Sequence, residues 1–96
     1  MQFLAISRIR TEDFTEAEIA PHLENEAQAA RRLYAEGHVR QIWYRGDQRG
    51  AISLFEAANE AEVQEHLNTL PLVQAGILEL VNLIPLNPYR GFGPRS

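Results

Sequence analysis

The chain contains no cysteine and no lysine. The first absence excludes disulfides, thiolate nucleophiles and cysteine metal sites. The second excludes Schiff-base chemistry. No apolar run approaches the roughly 18 residues needed to cross a bilayer. Met1 to Asp13 holds no basic leader followed by an apolar core and a small-residue cleavage site. Together these absences lead to the expectation of a cytoplasmic protein with no membrane segment. All nine basic residues are arginine, they are scattered, and thirteen acids outnumber them, for a net charge of −4. A nucleic-acid-binding surface needs a concentrated basic face, so nucleic acid is not an expected partner. There is no serine nucleophile elbow, phosphate loop or dinucleotide fingerprint. Gly91-Phe92-Gly93 leads into no helix.

What is present is a globular composition, 45% hydrophobic over 96 residues, which is one domain. Phe3 to Ile9 alternates as a strand, with Phe3, Ala5, Ser7 and Ile9 facing one way and Leu4, Ile6 and Arg8 the other. Thr15 and Glu18 form a capping box that starts a helix near Glu16. Pro21 then either kinks this helix or marks a second start. Ile19, Leu23, Ala27, Ala30, Leu33 and Tyr34 share one helical face, and Glu26 falls inside it. Gly37 is a helix stop. His38 to Arg45 reads as a strand, 46 to 50 as a hairpin and Ala51 to Phe55 as the next strand. Asn59 and Glu62 open a second helix carrying Val63, Leu67 and Leu70, with Leu70-Pro71-Leu72 as its exit turn. Ile77 to Ile84 is an apolar last strand, with Leu78, Leu80 and Ile84 on one side and Ile77, Val81 and Leu83 on the other. Residues 85 to 96 read as an irregular tail that either covers a cavity or a neighbouring subunit or is disordered.

The order β-α-β-β-α-β predicts an α+β, ferredoxin-like domain: a four-stranded antiparallel sheet with both helices on one face. The last strand is apolar on both sides, and helices cover only one. A second copy packed sheet to sheet is the expected partner, leaving a small-molecule cavity between sheet and helices.

Glu26 is the candidate catalytic group, because a carboxylate inside an apolar helix face is placed to have its pKa raised. Arg40 is the candidate for gripping a substrate carboxylate with its guanidinium fork, on a strand face shared with Ile42 and Tyr44. Arg8 is a second such candidate. Trp43 and Tyr44 point to opposite faces, one to the cavity and the other to an interface. Tyr34 could orient a carbonyl. His22, His38 and His66 show no metal-ligand spacing. They read as isolated, with a hydrogen-bonded structural role for His66 and a shuttle role open to His38. No metal or other cofactor is expected.

Glu26, then Ala30 and Leu33 on the same helix, then Gly37, Arg40 and Trp43, then Ser53 and Phe55, and finally Leu70-Pro71-Leu72 follow one another at spacings over which the chain resembles the muconolactone Δ-isomerase family. The resemblance covers nearly the whole length. It implies a dimeric α/β barrel assembled into larger rings. It also implies a cofactor-independent allylic proton shift in a small unsaturated, carboxylated lactone during aromatic catabolism. Glu26 would then move the proton, Arg40 would hold the acid group, and Trp43, Tyr34 and Arg8 would contribute to substrate binding. Where the family tends to have arginine directly after the tryptophan, this chain has Tyr44, with Arg45 one place later. A non-catalytic oligomeric ligand-binding protein and a cofactor-free oxygenase are the alternatives on the same scaffold.

Overall fold

The computed structural model describes residues 1 to 92. Eight elements carry the fold. They are β1 (Gln2–Ile9), α1 (Glu16–Ile19), α2 (Leu23–Ala35), β2 (Val39–Tyr44), β3 (Ala51–Glu56), α3 (Glu60–Leu67), α4 (Pro71–Gln74) and β4 (Leu78–Leu86). The four strands form one antiparallel sheet in the order β2-β3-β1-β4, the ferredoxin-like arrangement.

The helix boundaries follow local chemistry. The Thr15–Glu18 capping box is present in both directions, so two orphan donors of α1 are satisfied. Pro21 marks a second start: a 3₁₀ turn, Ala20–His22, bends the chain before α2 begins at Leu23. The exit from α2 is a Schellman turn. Gly37 sits at φ +83°, its N–H donates to the Tyr34 carbonyl, and the His38 N–H donates to that of Leu33. Gly76, at φ +74°, repeats the motif after α4, with Gly76 donating to Val73 and Ile77 to Leu72. Pro71 therefore starts a short helix, where a plain exit turn was expected. Its missing N–H costs nothing at a first helical position.

In β1 the alternation holds, with Phe3, Ala5, Ser7 and Ile9 buried beneath the helices. In β4 it does not hold throughout. Ser7 pairs with Leu80 but Ile6 with Asn82, so Val81 is an extra residue. Beyond this bulge the faces exchange. Leu78, Leu80 and Leu83 pack toward the core, whereas Ile84 shares the outer face with Leu4. Ile77 precedes the strand and is buried in a second cluster with Ile9, Ile19 and Leu72. The strand also runs to Leu86, into the segment expected to be irregular, and a 3₁₀ turn follows at Arg90–Phe92. Residues 93 to 96 of the expected tail lie outside the described residues.

The main core sits between the sheet and α2 and α3, centred on Phe3, Phe55, Val39, Leu33 and Val63. The other face of the sheet carries Leu4, Ile6, Trp43, Ile52, Leu54 and Ile84, and no element of the described chain covers it. None of its helices is long and apolar enough to cross a membrane.

Candidate active site

Small side chains face each other at one end of the helix–sheet layer: Ala5, Ser7, Ala51 and Ser53 on the sheet, Ala27 and Ala30 on α2. They cannot fill the space between the layers. A cavity of about 660 Å³ results, within the range of small-molecule sites. Phe55, Leu67, Leu70 and Leu72 line it further. Tyr44, 95% exposed, stands among the lining residues at the solvent side.

Glu26 projects into this apolar space from the first turn of α2. Its Oε1 accepts the backbone N–H of Leu72 at 3.0 Å. That N–H belongs to the first turn of α4 and has no partner within its own helix. Among the described residues, Oε2 accepts no hydrogen bond. Burial raises the carboxyl pKa above its ordinary value, while the Leu72 hydrogen bond and the nearby His22 pull it back in part. Desolvation wins because the surrounding wall is alanine and leucine.

The other polar groups at the cavity are Ser7, Ser53, Arg31, Arg49 and Tyr44. The Ser7 hydroxyl is spent on the Ala51 carbonyl at 3.2 Å. That of Ser53 makes no hydrogen bond among the described residues. Arg49 pairs with Glu16 at 2.5 Å, and Arg31 stands 3.6 Å from Glu24.

Of the five residues singled out by sequence, Glu26 is the one that lines the cavity. Arg40 was expected to share a face with Ile42 and Tyr44. It instead occupies a bulge: Val39 pairs with Phe55 and Gln41 with Leu54, leaving Arg40 over. Its side chain is exposed. Ile42 and Tyr44 stand opposite Ser53 and Ala51 and so face the cavity, while Trp43, opposite Ile52, faces the uncovered side. Tyr34 lies away from the apolar stripe of α2 and is 65% exposed. Arg8 is on the uncovered face, paired with Glu12 and Glu79. Arg31 and Arg49 carried no comparable sequence signal, because a helix flank and a hairpin meet at the cavity only through folding.

The histidines are not all isolated. His38 and His66 stack with ring centroids 4.0 Å apart, and Glu62 lies beside them, so that one donor atom from each falls within 4.8 Å of the others. The residues are 28 and four positions apart in the chain, which conceals the cluster from any local spacing rule.

The family model of muconolactone delta-isomerase matches residues 1–90. The chain belongs to that family. A muconolactone isomerase crystal structure superposes with a TM-score of 0.78 at 21% identity, covering 100% of this chain and 97% of that one. The muconolactone isomerase fold thus extends across the whole molecule. A second similar structure, 5-chloro-2-hydroxyhydroquinone dehydrochlorinase from Burkholderia phenoliruptrix in complex with 2,5-dihydroxybenzoquinone, gives a TM-score of 0.69 at 16% identity, covering 95% of this chain and 98% of that one. Among curated proteins none matches significantly. The same fold is thus shared by structures named for two different reactions.

Proposed function

We propose that this protein is a cofactor-independent isomerase that shifts an allylic proton in a small unsaturated, carboxylated lactone, as its family suggests. The observation that carries this reading is Glu26: a partly desolvated carboxylate, tethered by one oxygen to Leu72 and with the other free, in an apolar cavity of about 660 Å³. A base for this reaction takes a proton from the saturated carbon at one end of the allylic system. The electron pair delocalises toward the lactone carbonyl. The same group, now neutral, returns the proton at the other end. A carboxyl group whose pKa has moved toward the operating pH serves both steps. The tether limits Glu26 to a small swing between the two carbons, and the alanine wall offers no competing proton acceptor.

Arg49 and Arg31 are the cavity arginines available to a substrate carboxylate, and we assign Arg49 the gripping role because its hairpin closes the sheet side of the cavity. Ser53 offers a hydroxyl to a ring oxygen. The uncovered sheet face, with Trp43, Ile52, Leu54, Leu4, Ile6 and Ile84, is the surface on which we expect a second copy to pack. The dehydrochlorination named for the Burkholderia enzyme also requires loss of a proton, so a chlorinated lactone is a second substrate to assay.

Proton NMR of muconolactone in deuterated water, with the native protein and with Glu26→Gln, tests the proposal. Deuterium entering the lactone with the native protein alone supports it. No exchange with either protein removes the isomerase assignment, and retained binding of the lactone by both would then identify a binding protein.

A further inference from the structure

The cluster of His38, Glu62 and His66 is not part of the Glu26 cavity lining and has its own chemistry. His66 and Glu62 are i and i−4 on α3, so their side chains leave the same face of the helix. His38 is held by its backbone. Its N–H closes the Schellman turn onto Leu33, and its carbonyl accepts the Glu56 N–H at 2.9 Å. Folding therefore fixes the three side chains from two anchored pieces of backbone. Phe55 also stacks against His66, with centroids 6.4 Å apart and planes 5° from parallel.

Two facts do not fit an ordinary surface ion pair. The Nε2 of His66 is fully buried and has no hydrogen-bond partner. Glu62 Oε1 approaches it only to 3.5 Å, while Oε2 is occupied by the Ala58 N–H at 3.1 Å. A buried imidazole nitrogen with nothing to bond is an anomaly in a folded protein. The second fact is the His38 ring, stacked on His66 at 4.0 Å. The pair adds two imidazoles to one carboxylate.

We propose that His38, Glu62 and His66 form a binding site for a divalent transition-metal ion of the zinc class, separate from the Glu26 cavity. Two imidazole nitrogens and a carboxylate oxygen are a donor set suited to zinc and not to calcium or magnesium, which favour all-oxygen shells. Donor atoms of a tetrahedral zinc site stand about 3.3 Å apart, from bonds of about 2.0 to 2.1 Å. The three donors here lie within 4.8 Å of one another, so modest side-chain rotations, chiefly an opening of the stacked rings, bring them onto one ion. Water would complete the shell. The ion would give His66 Nε2 the partner it lacks and would tie α3 to the start of β2. Because Phe55 lines the Glu26 cavity and also stacks on His66, the ion would brace the cavity wall from behind. This inference does not depend on the isomerase reading.

The test uses the untagged full chain, stripped with a chelator and titrated with zinc chloride by calorimetry. Cobalt(II) absorption is the second readout. One ion per chain is expected, with the visible bands of four-coordinate cobalt and a thermal midpoint that rises with zinc. His38→Asn, Glu62→Gln and His66→Gln should each weaken binding by at least about tenfold, since even indirect supports of metal ligands are worth that much. His22→Asn, which removes the one histidine outside the cluster, should leave it unchanged. Circular dichroism checks that the variants are folded; if the His66 variant is not, His38→Asn and Glu62→Gln decide. No zinc uptake by the native chain overturns the proposal. So does uptake that survives both of those variants, or cobalt spectra of a purely aqueous ion.

Discussion

Oε1 of Glu26 lies 3.0 Å from the backbone nitrogen of Leu72, 46 residues further along the chain. One carboxylate thus caps the first turn of α4 and stands in the cavity. Glutamine at position 26 can keep the cap, because its amide oxygen accepts the same N–H, and it has no charge to desolvate. The folded-state carboxyl pKa is raised above the ordinary 4.5. Its stabilising contribution is therefore fully present below that value and is lost as pH rises through the folded-state pKa. Glu26→Gln should accordingly melt higher than the native protein at neutral pH, with the difference closing in acid below 4.5. Thermal melts at both pH values check this.

The same substitution should cost catalysis. Removal of a positioned general base lowers rate by about 10²- to 10⁴-fold, and kcat of Glu26→Gln should fall within that span. In the proposed isomerisation the ionised carboxylate is what starts the reaction. The acid limb of its kcat/KM profile should therefore lie above 4.5, the ordinary value for this group.

Gly50 is buried where the β2–β3 hairpin crosses β1. A Cβ placed there would come 2.3 Å from the Ser7 carbonyl oxygen and 2.8 Å from the Arg8 Cα, both backbone atoms. Gly50→Ala should destabilise the fold by about 1 to 3 kcal/mol, as overpacking typically does. Chemical denaturation measures it, and reduced activity should accompany it because Arg49 and Gly50 line the cavity.

Thr15→Ala removes the side chain that accepts the Glu18 N–H at 3.3 Å and frees the reciprocal partner. A loss of about 1 kcal/mol is expected, with kcat unchanged, since α1 does not reach the cavity through this residue.

Leu54 and Ile52 occupy the middle of the uncovered sheet face, beside Leu4 and Ile6. Leu54→Glu should lower the mass of the assembly measured by light scattering. A native protein already at the monomer mass would remove this surface as an interface.

Much of the fold was legible because its signals are local. The capping box at Thr15, the stop at Gly37 and the alternation of β1 each involve residues within a few positions of one another. So does the hydrophobic repeat that placed Glu26 on the inward side of α2. These interactions are satisfied by the same short stretch that encodes them, and they specify the β-α-β-β-α-β order on which the family relationship rests.

The two bulges, at Arg40 and Val81, depend on how neighbouring strands pair, and each turns side chains to the other face. That is why Arg40 stands outside the cavity and why Ile84, not Leu83, faces outward. The Leu72 tether, the gathering of Arg31, Arg49 and Glu26 around one cavity, and the meeting of His38 with Glu62 and His66 are likewise products of the packed layers. By itself the sequence determined the four strands and the two longer helices, their order and the one carboxylate aimed into an apolar layer. Tertiary structure alone decided which distant groups surround that carboxylate, because cavity walls and ligand clusters are set by register and layer packing, neither of which leaves a periodic trace in the chain.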